Sequence, residues 1–220
     1  SLLASPALVL IAAGLVLPLL PAALRTLALL AAPLLALLMV WQLPDGAAAT
    51  IAYLGYELVP LKADKLSRLF ATVFAIMAFA GGLFALNQKR TAELAAAYVY
   101  AGGAIGVAFA GDVVTVFVFW ELMAIASTIV LWSAGASARR AGLRYAAIHF
   151  LGGVILMTGI AGEVAASGSV AFSQLDISTV PRKLILLGFL INAAATPLSA
   201  PQAARGGRKR RRASCGGLSI

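Results

Sequence analysis

Apolar residues fall in long runs along this chain, at 6–21, 27–43, 69–86, 94–110, 113–132, 145–166 and 184–200, with polar residues gathered between them. Most of the runs approach the roughly 17–25 residues that a helix needs to cross a bilayer. Continuous runs predict helices, because a transmembrane barrel would show alternating polar positions. The pattern predicts an all-α integral membrane protein with about seven transmembrane helices. The first run is matched by the later ones and reads as a true span, not a signal peptide. One polar connection, 44–67, differs from the others. Within it TIAYLGYELVPL, at 50–61, sets Ile, Tyr, Leu and Val around Gly55. It reads as a short β-hairpin on the outer surface, with an irregular loop as the equal alternative.

Composition strengthens the membrane reading. The 220 residues are 62% hydrophobic and 11% charged, against about 25% charged in an ordinary soluble domain. The formal net charge of +9 does not point to nucleic acid. Six of the 17 Lys and Arg residues lie in the last 20 positions, and up to Ala200 eleven basic residues face eight acidic ones. No fold or aromatic platform for nucleic acid surrounds the basic tail. A single cysteine, Cys215, excludes an intrachain disulfide, and one histidine without a Cys-x-x-Cys leaves little scope for metal or haem. There is no glycine-rich phosphate loop and no nucleophile–His–acid triad, so no cofactor is expected and an enzyme acting alone is disfavoured.

The polar connections alternate between two sides. Arg25, then Lys89, Arg90 and Glu93, then Arg139, Arg140 and Arg144 share one side. Lys62, Lys65, Arg68, Arg182 and Lys183, with Asp45, Glu57, Asp64, Asp112 and Asp176, share the other. Six basic residues against five favour the N-terminus outside and Arg139 and Arg140 in the cytoplasm.

Three residues inside the runs could carry chemistry. Glu121 is the sole ionisable group of the run 113–132. About nine helical residues separate it from Asp112, which places it roughly 13 Å deep, near the midplane of a bilayer. A carboxyl group there is costly, and intramembrane acids commonly serve proton relays; the bland alternative is an acid that holds helices together. Ser127 and Thr128 lie about two turns away and are poor partners. His149 is expected about one turn into the sixth span. Its ordinary pKa near 6.5 suits a relay, although a lone histidine near a helix end is more often a packed or interfacial residue. Asn192, inside the seventh span, could bridge helices or coordinate an ion, with packing the plainer reading. Arg182 and Lys183 read as interfacial snorkelling residues. Thr196-Pro197 would kink or end the seventh span. Gly102 and Gly106, and Gly152, Gly153 and Gly159, read as close-packing positions.

The Glu121 segment VFVFWELMAIASTIVLW, the stretch Asp64-Lys65-Leu66-Ser67-Arg68-Leu69-Phe70 and the sequence LGFLINAAATPLSA resemble the antiporter-like membrane subunits. That family includes the D-type component of Mrp Na+/H+ antiporters and the proton-pumping membrane subunits of complex I. The resemblance covers about residues 1–200 and is closest to the Mrp D-type branch. It implies the N-terminal half of a fold of about fourteen helices in two inverted repeats. Residues 1–93 would hold three opening helices with the outer loop or hairpin at 44–67, and 94–200 most of the first repeat. It also implies that Glu121 is the family's channel glutamate, with His149 and Asn192 along the proton or ion pathway. Many members have a lysine where Asn192 stands, which puts a paired-charge mechanism in doubt.

The implied function is that of a multi-pass subunit of the cell (inner) membrane, within a multisubunit Na+/proton antiporter and in contact with lipid, other subunits, H+ and Na+. The alternative is a proton-pumping subunit of a NADH:quinone oxidoreductase-like or hydrogenase complex. The tail PQAARGGRKRRRASCGGLSI, at 201–220, departs from the family pattern in mid-phrase. It reads as an out-of-frame, disordered segment, with a polybasic lipid-binding tail as the alternative. A frameshifted chain would be a truncated and non-functional fragment.

Overall fold

The computed structural model describes residues 5–88, 90–133, 135–172 and 177–194. Among them are seven α-helices and one two-stranded sheet. In chain order these are α1 (Pro6–Val16), α2 (Ala22–Gln42), β1 (Gly46–Tyr53), β2 (Tyr56–Ala63), α3 (Lys65–Phe84), α4 (Thr91–Phe109), α5 (Val113–Ser133), α6 (Ala136–Ser167) and α7 (Val180–Ala194). Helices α2 to α6 are long and apolar enough to cross a membrane, and Pro6–Leu19 forms a shorter apolar helix. The helical membrane fold and the approximate helix count agree with the sequence pattern. Thr196-Pro197 and the tail 201–220 lie outside the described residues.

The prolines organise the first two helices. Pro6 begins α1, whose end tightens into a 3-10 turn at Leu17–Leu19 around Pro18, and Pro21 caps α2. Pro33 sits inside α2 and has no N–H to offer the Leu29 carbonyl one turn back. That carbonyl instead accepts the hydroxyl of the buried Tyr98 from α4. A Cβ at Gly82 of α3 would lie 2.7 Å from the same carbonyl oxygen, so the glycine lets a third helix close on this joint.

The hairpin is present and longer than expected. β1 and β2 pair antiparallel from Gly46↔Ala63 to Tyr53↔Tyr56, joined by Leu54 and Gly55. Both turn residues have positive φ, +48° and +83°, as a tight two-residue hairpin turn requires. Helix α3 begins at Lys65, before the apolar run, because Asp64 and Ser67 form a capping box. The Ser67 N–H donates to Asp64 Oδ1 at 2.7 Å, and the Asp64 N–H donates to Ser67 Oγ at 2.8 Å.

One helix departs from expectation. α6 begins at Ala136, nine residues before the apolar run, and its 32 residues end at Gly168 in the left-handed conformation. At 1.5 Å per residue it is about 48 Å long, more than the roughly 30 Å hydrocarbon core. Arg139, Arg140 and Arg144 are therefore helical rather than loop residues. The run of apolar positions marks only the part of the helix that meets lipid or protein, not the turns that project beyond it.

The connections alternate between two ends as the sequence suggests. At one end the Gly111 N–H donates to Val59 O at 2.8 Å and the Val113 N–H to Val170 O at 3.1 Å, joining the hairpin, the α4–α5 turn and the segment after α6. At the other end Arg90 donates to the Ser133 carbonyl at 3.3 Å, joining the start of α4 to the end of α5. Three clusters of buried apolar residues hold the helices, one of them Ala96, Val99 and Ala126 between α4 and α5. The largest, with Leu10, Leu29, Val40, Leu61, Ile105 and Phe109, binds α1, α2, α4 and the hairpin. A smaller one, built on Leu156, Ile160 and Ile185, fills the space between α5, α6 and α7. Small residues permit these approaches, since a Cβ at Gly102 would lie 2.7 Å from Ala7 O of α1.

Candidate functional site

Glu121 is the ninth residue of α5, and His149 is the fourteenth of α6, well inside that helix rather than one turn from its start. The correction follows from the early start of α6. His149 and Asn192 are buried at 5% and 9% exposure. His149 Nε2 lies 3.9 Å from Glu121 Oε1, beyond a direct hydrogen bond of up to about 3.2 Å and within reach of a single bridging water.

The glycines of α6 decide this geometry. A Cβ at Gly153 would lie 2.5 Å from Glu121 Oε1, and a Cβ at Gly152 would meet the side-chain oxygen of Asn192. The carboxylate of α5 and the amide of α7 thus lie directly on bare α6 backbone, one turn from His149. Glu121 Oε1, both ring nitrogens of His149 and both amide atoms of Asn192 are buried without a hydrogen-bond partner. Aromatic contacts frame them: Trp120 meets Phe189 of α7 with ring centroids 5.2 Å apart, and Tyr145 meets His149 at 5.7 Å. Ser127 and Thr128 donate to the Met123 and Ala124 carbonyls of their own helix, each at 2.8 Å, and take no part in the cluster.

The arrangement holds one carboxyl and one imidazole close enough to exchange a proton through water, with a neutral amide beside them. Among the described residues no cluster of three or more His, Cys, Asp or Glu side chains could hold a metal.

Sequence reasoning missed two polar contacts. Asp112, read as a loop residue, is 2% exposed. It accepts the Thr115 N–H at 2.7 Å, the Thr115 hydroxyl at 2.6 Å and the Val59 N–H at 2.7 Å. The signal was available: an acid followed three residues later by threonine, at the head of an apolar run, is an N-cap pattern. Glu163 pairs with Arg182 at 2.9 Å between α6 and α7, so Arg182 is an ion-pair residue rather than a snorkelling one. An acid inside the run 145–166 was its signal.

Comparison with known proteins gives this geometry a context. Residues 110–202 match the family described as NADH:quinone oxidoreductase/Mrp antiporter, TM. An uncharacterized protein of Mycobacterium tuberculosis is 31% identical over 154 residues, 64% of this chain and 24% of its own length. The D-type component of the Na(+)/H(+) antiporter of Alkalihalophilus pseudofirmus is 28% identical over 138 residues, 58% of this chain and 28% of its own length.

Among solved structures, a chain of the Mrp complex from Dietzia sp. superimposes with a TM-score of 0.73 at 20% identity, covering 86% of this chain and 23% of that one. A chain of respiratory complex I from Thermus thermophilus gives 0.68 at 25%, covering 85% and 42%. The resemblance to the Mrp and complex I antiporter-like membrane subunits holds, and the chain is a multi-pass membrane protein. It spans about a quarter of the length of the curated relatives it matches. Its structural neighbours are chains of multisubunit membrane complexes.

Proposed function

We propose that the chain is a membrane subunit of a multisubunit Na+/proton antiporter of the cell (inner) membrane, in which protons pass through Glu121. The observation that carries this reading is the approach of Glu121 Oε1 and His149 Nε2 to 3.9 Å at the α5–α6 contact. A carboxyl and an imidazole can exchange a proton because their ordinary pKa values lie within about two units of each other. Asn192 stands where a charge partner is expected from the resemblance and cannot itself carry a proton. The imidazole is then the nearest group that can.

A second reading is favoured by the family description, which spans both NADH:quinone oxidoreductases and Mrp antiporters, and by the similarity to a chain of complex I. In it the same glutamate serves redox-driven proton pumping. The test is ion flux in vesicles carrying the assembled complex. Glu121→Gln abolishes coupled transport while assembly persists. Transport that depends on a Na+ gradient supports the antiporter, and transport that depends on quinone reduction supports the second reading. Normal flux in the Glu121→Gln complex would contradict both.

A further inference from the structure

The proposed function uses Glu121 and His149 and leaves Asn192 unexplained. Its amide is buried on α7, with neither Oδ1 nor Nδ2 bonded to any protein group. Buried amides are normally satisfied, and an orphaned one inside a membrane protein points to a ligand that completes it.

The geometry of α6 relates the amide to the other two groups. Helical residues advance by about 100° each, so Gly152 lies roughly 60° to one side of His149 and Gly153 roughly 40° to the other, both one turn away. Asn192 rests at Gly152 and Glu121 at Gly153. The histidine therefore sits between them in angle, on the face of α6 that both neighbours touch. These three residues, from three helices, hold five buried atoms without a partner. Their chemistry is complementary: an ionised carboxylate accepts, a neutral imidazole donates at one nitrogen and accepts at the other, and an amide does both. A buried water makes about three hydrogen bonds and fits such a set.

We propose that Glu121, His149 and Asn192 enclose a binding site for ordered water across the face of α6, with Asn192 as its positioning residue. The inference rests on the proposed function only for the use made of the site. Water held by the amide would bridge Glu121 and His149, so that a proton taken up by the Glu121 carboxylate passes through the water to the neutral imidazole, leaving the carboxylate ionised again, without a second charge on α7. Gly152 and Gly153 are then required because a side chain at either would displace one of the groups.

The groups that can influence His149 are few. Glu121 faces it from α5. Tyr145 touches it from its own helix, with Arg144 adjacent in sequence. From α7, residues 184–194 contribute no ionisable side chain. The chain contains a single histidine, so 15N-histidine labelling yields one imidazole to observe.

The experiment is NMR of the labelled full chain in lipid nanodiscs, following water-to-imidazole magnetisation transfer and the imidazole titration. The wild-type chain and Asn192→Gln are expected to show transfer from bound water, and Asn192→Leu to lose it. Asn192→Asp is expected to raise the titration midpoint by about one pH unit or more, because a carboxylate beside the imidazole favours its charged form. A role in packing alone would not move the midpoint. An imidazole without water transfer in the wild type, or an unmoved midpoint in Asn192→Asp, overturns the proposal. A wild-type signal that shifts with Na+ but not with choline at equal ionic strength overturns it in favour of a cation site. Normal transport in Glu121→Gln would defeat the proposed function and leave the bound-water signal in place, so the two failures are distinct.

Discussion

Helix α5 carries two acids that sit in opposite circumstances. Asp112, at its head, is nearly inaccessible and accepts three hydrogen bonds from Thr115 and Val59. Glu121, nine residues on, has a side chain 26% exposed, an orphaned Oε1 and an imidazole at 3.9 Å. The first carboxylate is fully occupied in holding structure. It caps α5, favours the positive end of the helix dipole and fastens the hairpin to the α4–α5 turn. The second has been left free of structural work, in a place where that freedom is expensive. Depth in the membrane does not distinguish a structural acid from a chemical one as well as the state of its hydrogen bonds does.

The contrast can be broken by mutation. Asp112→Ala leaves the Val59 and Thr115 N–H groups buried and unpaired, and is expected to cost about 3 kcal/mol or more of stability. Thermal unfolding in detergent checks it, and an unchanged transition would remove Asp112 from the structural side of the comparison. Gly102→Val forces a side chain against Ala7 O and is expected to cost about 2 kcal/mol by the same assay. Tyr98→Phe leaves the Leu29 carbonyl without its hydroxyl donor, and about 1.5 kcal/mol is expected to be lost. The smallest effect is at the α3 cap, where Asp64→Ala is expected to cost about 1 kcal/mol.

That cap also has a pH signature. The Ser67 backbone N–H beside Asp64 holds its carboxyl below the ordinary carboxylate range. A depressed folded pKa contributes stability that is complete above the unfolded value, near 3.9, and is lost as pH falls through the folded one. Acid unfolding curves of the wild type and Asp64→Ala should therefore converge at low pH. Curves that stay parallel down to pH 2 would argue against the capping account. None of these four substitutions is expected to change flux per folded molecule.

Legibility in the sequence followed the same division. The apolar runs revealed the helices, because each must bury backbone polarity within itself inside lipid. The β-formers around Gly55 pointed to a hairpin and to an irregular loop equally, and the strand pairing decides for the hairpin. The ends of helices were hidden where polar residues extend them: Asp64 and Ser67 start α3 early, and the arginine-rich segment around Arg139 and Arg140 opens α6 ahead of its apolar run. Glu121 stood out as a lone charge. Its proximity to His149 and the place of Asn192 did not, because both depend on which face of α6 lacks side chains. That is a packing property of Gly152 and Gly153, and glycine in a membrane helix signals close approach without naming the neighbour.

The most direct test sets the two acids of α5 side by side, measuring proton flux and thermal unfolding for Glu121→Gln and Asp112→Asn in the assembled complex. The account predicts that Glu121→Gln unfolds like the wild type and loses flux by about 100-fold or more, the usual scale for removing a proton-transfer group. It predicts that Asp112→Asn unfolds at a lower temperature while the folded fraction keeps its flux. Wild-type flux in Glu121→Gln would contradict it.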